Sequence, residues 1–203
     1  MSSSERSTWF ESYKSFEYIS HYLKLVQQKI RITSGFFTVR GWNLIRKYTR
    51  NKFTYLLIGI DEPGEERARR ALINEIMREL RTGLDRERRQ AAQALVEKME
   101  ADQFRLVDAR ATNHHAKLYI IDRKVALIAS SNLTGQGLKD KIEAGSVIKK
   151  PREIKFLIQE FDDYFAQAQD LTAELLIALK NWLQLRTPWE IYLKTMLAFE
   201  NIK

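Results

Sequence analysis

Apolar positions change their period along the chain, and the changes divide it into elements. From Phe16 to Gln27 they fall at 16, 19, 22, 23 and 26, the spacing of one helix face. Ile30 and Ile32 then alternate with Arg31 and Thr33, which predicts a strand ending at Gly35. Residues 40–49 suit a short helix. Phe53–Ile60 is short, apolar and closed by Asp61-Glu62-Pro63-Gly64, so it reads as a buried strand. Helical spacing returns over residues 64–101, with Ala71, Leu72, Ile76 and Leu80 on one face. Gly83 is the expected break, and Ala91, Ala94, Leu95 and Met99 resume the stripe. Short strands are expected at 104–107, 115–122, 124–130 and 143–148. After Pro151 the pattern is helical over 152–166, 171–185 and 188–202, the last opened by the capping box Thr187-Pro188-Trp189-Glu190. The first 15 residues are polar apart from Trp9, Phe10 and Tyr13, and are expected to be partly ordered at best.

Strands and helices alternate to about residue 110, strands then cluster, and helices close the chain. An α/β fold follows, a mixed β-sheet flanked by helices. Residues 1–150 are expected to form the catalytic domain. Residues 151–203 are expected to form a C-terminal helical extension, packing on it or linking to a further domain.

Composition narrows the function classes. The chain has 203 residues and no cysteine, which removes a disulfide scaffold, a thiolate zinc site and a cysteine nucleophile together. It has no apolar run of membrane-helix length, and its first residues lack the apolar stretch of a signal peptide. A cytoplasmic chain with no membrane partner is the expectation. The formal charge of +8 is unevenly placed. Residues 1–62 carry 10 basic and 5 acidic side chains, and residues 113–150 carry 7 and 3. Between them, residues 63–112 carry 11 and 10, the pattern of a solvated helix face, while residues 151–203 carry 6 and 8. Two separated blocks therefore hold the excess that favours a polyanionic partner.

Candidate chemistry falls in the second block. There are three histidines, His21, His114 and His115. In a strand, residues two apart share a face, so His115 and Lys117 project together. Ser130 and Asn132 repeat that spacing at the end of the next strand, and Glu143 enters the one after. A hairpin that joins these strand ends brings together an imidazole, an ammonium, a hydroxyl, an amide and a carboxylate. Lys, Ser and Asn supply charge and donors for a phosphate. Imidazole supplies a nucleophile or general acid/base, and a carboxylate can orient it. No metal and no cofactor is called for.

The run His115-Ala116-Lys117, four residues, Asp122, six residues, Ala129-Ser130-Ser131-Asn132 resembles the HxK(x4)D(x6)GSxN signature of the phospholipase D superfamily. LTGQGL and Glu143-Ala144-Gly145 are similar to that family's continuation, and Ser34-Gly35-Phe36-Phe37 is compatible with its upstream strands. Ala129 stands where the signature has glycine, and Lys141 where it has asparagine. The resemblance implies a phospholipase D-like fold and metal-independent phosphodiester hydrolysis. His115 would attack phosphorus, Lys117, Ser130 and Asn132 would hold the phosphate, and Glu143 would orient His115. Asp122, an odd offset from His115, points to the opposite face and is assigned a structural role at the turn. One motif where the mechanism wants two histidines implies a homodimer with a shared site. The layout, with Trp182 and Pro188-Trp189-Glu190 in the tail, is also similar to the phospholipase D-like module at the N-terminus of some bacterial helicases, so a helicase domain in the same parent chain is a further expected partner.

Around this set, Phe36 and Phe37 offer stacking for a base, and Lys139 and Lys141 offer contacts to backbone phosphates. The bland readings are core for the two phenylalanines and a solvated loop for the lysines. His114 reads as a surface or packing residue and His21 as structural. Nucleic acid, DNA before RNA, is the leading substrate. A non-catalytic binding module of a larger enzyme and a phospholipid phosphodiesterase are the alternatives.

Overall fold

The computed structural model describes residues 8–12, 15–59, 73–74, 76–78, 86–108 and 114–184. The expected break at Gly83 and the helix over 188–202 lie outside these residues. The strands are β1 (Thr8–Ser12), β2 (Lys29–Ser34), β3 (Phe53–Ile58), β4 (Phe104–Asp108), β5 (Leu118–Ile121), β6 (Val125–Ala129), β7 (Glu143–Ile148) and β8 (Gln169–Asp170). The helices are α1 (Ser15–Leu23), α2 (Val39–Thr49), α3 (Arg86–Glu100), α4 (Gly135–Lys139), α5 (Pro151–Gln167) and α6 (Thr172–Gln184).

All eight strands join one sheet in the order β1-β7-β6-β5-β2-β3-β4-β8. β2, β3 and β4 run parallel, and the remaining neighbours pair antiparallel. This is the mixed α/β sheet expected from the alternation of elements. The side-chain period of two sorts the strands between two cores. Ile30 and Ile32 of β2 join the larger core, and Arg31 is buried on the other side, where its guanidinium grips Asp162 of α5 at 2.8 and 2.9 Å. β3 is apolar on both faces, with Leu56 and Ile58 in one core and Leu57 in the other.

The larger core gathers Leu23 of α1, Trp42 and Ile45 of α2, Leu95 of α3, Leu138 of α4, and Leu175, Leu179 and Trp182 of α6. Among the described residues, α5 alone supplies the helix side of the other core, through Ile154, Ile158 and Phe161, a stripe at helical spacing. Burying each of these three is worth roughly 1.5–3 kcal/mol as an upper estimate. The helices after residue 150 therefore complete both layers of the sandwich around the sheet.

Three elements escape the sequence pattern. β1 lies in the segment expected to be partly ordered at best, and it pairs along all five residues with β7, from Thr8↔Val147 to Ser12↔Glu143. Its partner strand, distant in sequence, dictates its conformation, and no local period announces it. α4 is a single short turn capped by Thr134, whose Oγ accepts from Gly137 N at 2.9 Å. β8 has two residues, paired with Val107 and Asp108. The strand expected over 115–122 is paired only from Leu118 to Ile121, which leaves His115–Lys117 as a lead-in.

Candidate active site

β2 ends at Ser34, beside the lead-in to β5, and these two segments bound the site. The side chain of Asn132 ties the end of β2 to the β6–α4 loop. Its Oδ1 accepts from Gly35 N at 2.9 Å and from Phe36 N at 3.3 Å, while the Ser34 hydroxyl beside it donates to the Phe36 carbonyl at 2.6 Å. With the carbonyl so occupied, the side-chain amide keeps its NH2 as a donor. Ser34 Oγ in turn accepts from Leu133 N at 2.8 Å. The thread is thus fixed from two strands at once.

His115 is exposed, and Lys117 stands against it. The Lys117 Nζ lies 3.0 Å from His115 Nδ1, 2.8 Å from Nε2 and 3.1 Å from the His115 carbonyl oxygen. An ammonium near both ring nitrogens cannot lie along both lone pairs, so it stands off the ring as a positive group beside a nucleophile. Gly35 completes the wall. A Cβ there would sit 3.1 Å from His115 Nε2 and Cδ2, and 3.0 Å from Asn132 Oδ1. Gly59 permits a second close approach, because its missing Cβ would fall 1.4 Å from the carbonyl oxygen of His114. The backbone just before the candidate nucleophile thus crosses directly over the end of β3.

Ser130 and Glu143 meet. The Ser130 hydroxyl donates to Glu143 Oε2, while its oxygen accepts from Ala144 N at 3.0 Å. A hydroxyl has one proton, and in this arrangement the Glu143 carboxylate holds it, so Ser130 and Glu143 are paired. Beneath them, Tyr119 is fully enclosed, and burial followed by the nearby Glu143 charge raises its phenol above the ordinary range.

Phe37 is not available for stacking. It is 1% exposed and packs against Phe104 with ring centroids 6.4 Å apart, because the chain turns inward after Gly35 and bridges to Leu133. Phe36 points outward at 37% exposure beside Asn132. Lys139 and Lys141 are exposed at the end of α4. His114 is a packing residue, its ring 5.0 Å from that of Tyr164. Burial, then the charge of His115, lowers its pKa. His21 sits in the last turn of α1 against Tyr22.

Asp122 lies at the other end of β5. It adopts a positive φ of 50°, and its carboxylate accepts from the backbone N–H groups of Gln27, Gln28 and Lys29 at 2.9, 3.0 and 2.8 Å. Burial pushes its pKa up, but those three bonds and the Lys124 charge outweigh it and hold the carboxyl below its ordinary value. Sequence reasoning missed the roles of Ser34, Gly35 and Gly59. A Ser-Gly pair at a strand end was the visible signal for the first two. Among the described residues, no three His, Cys, Asp or Glu side chains come together as a metal-binding group.

Residues 19–168 match the family described as cardiolipin synthase, phospholipase D-like domain. The chain belongs to this family. Solved structures of the phospholipase D-like fold agree with its architecture. Nuc from Salmonella typhimurium, a phospholipase D family member, aligns at 17% identity with a TM-score of 0.53, covering 81% of this chain and 97% of its own. NucT from Helicobacter pylori aligns at 11% identity and a TM-score of 0.52, covering 81% and 98%. Phosphatidylserine synthase from Haemophilus influenzae aligns at 15% and 0.57, covering 82% of this chain but 40% of its own. No curated protein sequence matches the chain. At superfamily level the phospholipase D-like domain is a phosphodiesterase domain, and among the described residues no helix is long and apolar enough to cross a membrane.

Proposed function

We propose that this phospholipase D-like chain is a cytoplasmic nuclease that cleaves phosphodiester bonds, DNA being the leading substrate, through a phosphohistidine on His115. The observation that carries this reading is the convergence of an exposed imidazole, the Lys117 ammonium and the Asn132 amide at one end of the sheet, with the Ser130–Glu143 pair beside them. A ring nitrogen of His115 forms a bond to phosphorus as the bond to the leaving oxygen breaks. The leaving oxygen takes a proton from the imidazolium of His115 in a second copy of the chain. Water then attacks phosphorus, gives its proton to that second imidazole, and displaces His115, leaving a phosphomonoester. Lys117 and Asn132 hold the non-bridging oxygens, where negative charge gathers. Glu143, held by Ser130, is assigned the orienting of the His115 imidazole. The reading includes a homodimer: these 203 residues carry one such motif, and a twofold axis supplies the other.

The basic blocks at residues 1–62 and 113–150 support nucleic acid over a neutral substrate. A denaturing gel after brief mixing with 32P-labelled oligonucleotide should show label on the protein, lost in His115→Ala and stable to alkali but not to acid. Turnover should survive EDTA, and light scattering should give twice the chain mass. EDTA-sensitive cleavage, or an active monomer, would overturn the mechanism. Hydrolysis of phospholipid vesicles with no cleavage of nucleic acid would assign the site to lipid instead.

A further inference from the structure

The second charged feature of the molecule lies at the opposite pole of the sheet, seven residues of nearly extended chain from His115, roughly 20 Å away. There a cleft of about 400 Å3 opens between Gln28, just before β2, Lys29 and Arg31 on β2, and Arg123 and Lys124 at the β5–β6 turn. Arg123 is shared with an adjoining recess of about 220 Å3, lined by Pro151, Ile154, Ile158 and Lys155 of α5. The acidic groups at this pole are already engaged. Asp122 is bonded by three backbone N–H groups, Asp162 by Arg31, and Glu153 lies 3.7 Å from Lys150. The cations therefore remain in excess around a concave trough, with an apolar recess at its side.

We infer that this cleft is a second nucleic-acid site, which grips the phosphodiester backbone of a single strand on Lys29, Arg123, Lys124 and Lys155 and seats a base in the recess between Pro151 and Ile158. The class of ligand follows from the shape and chemistry. Several cations along a trough match the repeat of charges on a strand, and Gln27, whose Oε1 accepts from Lys124 Nζ at 2.8 Å, and Gln28 line the same trough. A lipid surface is met by a convex apolar ridge with basic flanks, whereas here the apolar atoms are recessed. A single strand fits better than a duplex because a base must leave the stack to enter the recess.

Binding at this pole does not depend on chemistry at His115, so the two readings fail separately. In a His115→Ala background, anisotropy of a labelled 30-nucleotide single strand is measured for Arg123→Glu/Lys155→Glu and for the milder Arg123→Gln/Lys155→Gln. The expected result is an affinity loss on the order of tenfold at low salt for the reversed pair. The slope of log affinity against log salt should fall by about two in both pairs. With His115 intact, hydrolysis of bis(p-nitrophenyl) phosphate should be unchanged by either pair. Strand affinity and slope within error of the parent in both pairs would overturn the site. Unchanged strand affinity with lost binding to phosphatidylglycerol vesicles would assign the pole to a membrane surface and overturn it equally. If the native chain cleaves no nucleic acid while the pairs still weaken strand binding, the nuclease reading falls and the site stands.

Discussion

The two ends of the β5 segment carry residues of one sequence motif, yet they are built to opposite ends. At the His115 end, polar groups face one another in the open. The imidazole is exposed, an ammonium stands against it, and the Asn132 amide retains its NH2. At the Asp122 end, a carboxylate accepts three backbone N–H groups and joins the β5–β6 turn to the start of β2. The first arrangement leaves bonding capacity for a substrate, while the second uses it within the chain. The difference teaches that neighbouring motif residues need not share a task. Seven residues separate them, and an extended chain delivers them to opposite ends of the strand.

The contrast can be broken most directly at His115. His115→Ala should reduce turnover by roughly a thousandfold or more. Because the side chain is exposed, folding stability should change by no more than about 0.5 kcal/mol. Activity assays beside urea titrations check both halves, and a large loss of stability would show that His115 also serves the fold. Next in size is Gly35→Ala. Its Cβ presses on the imidazole and on Asn132 at 3.0–3.1 Å, so both must give by a few tenths of an ångström. We expect kcat to fall by up to about a hundredfold, with the thermal midpoint much less affected. An unchanged kcat would mean that the ring position is not critical.

Asp122→Asn should show the reverse pattern. Turnover per folded molecule is kept, and stability falls by about 1–2 kcal/mol after allowing for partial exposure. The sign with pH follows from the depressed carboxyl. Its contribution is fully present above the ordinary carboxylate value near 3.9 and is lost as pH falls through the lower folded value. Native and variant curves should therefore converge toward strongly acid pH. Parallel curves in urea melts from pH 7 to 2 would refute this account of Asp122.

Much of the molecule was legible in the chain itself, for reasons that differ by element. β2 and β3 could be read because side chains alternate or run apolar where a sheet is covered on one or both faces. α5 could be read because Ile154, Ile158 and Phe161 repeat at helical spacing. β1 could not, since its five residues pair with a strand more than 130 positions away. Phe37 illustrates the same limit. Next to an exposed Phe36, only the inward turn after Gly35 decides that its ring joins Phe104 in the core.

The chain alone determined which chemical groups are present and how far apart they lie along it: an imidazole and an ammonium two residues apart, a hydroxyl and an amide likewise, no thiol, and two basic blocks. Local spacing constrains local direction, so the shared side of His115 and Lys117 was already implied. Which groups meet across the fold was settled by tertiary contacts. Ser130 turned to Glu143, Gly35 and Gly59 made room where backbone and ring approach, and Asp122 took up the amides of residues 27–29. The reason is physical. A hydrogen bond or close contact between segments 13 to 95 residues apart depends on strand order and register, and no periodicity within either segment encodes those.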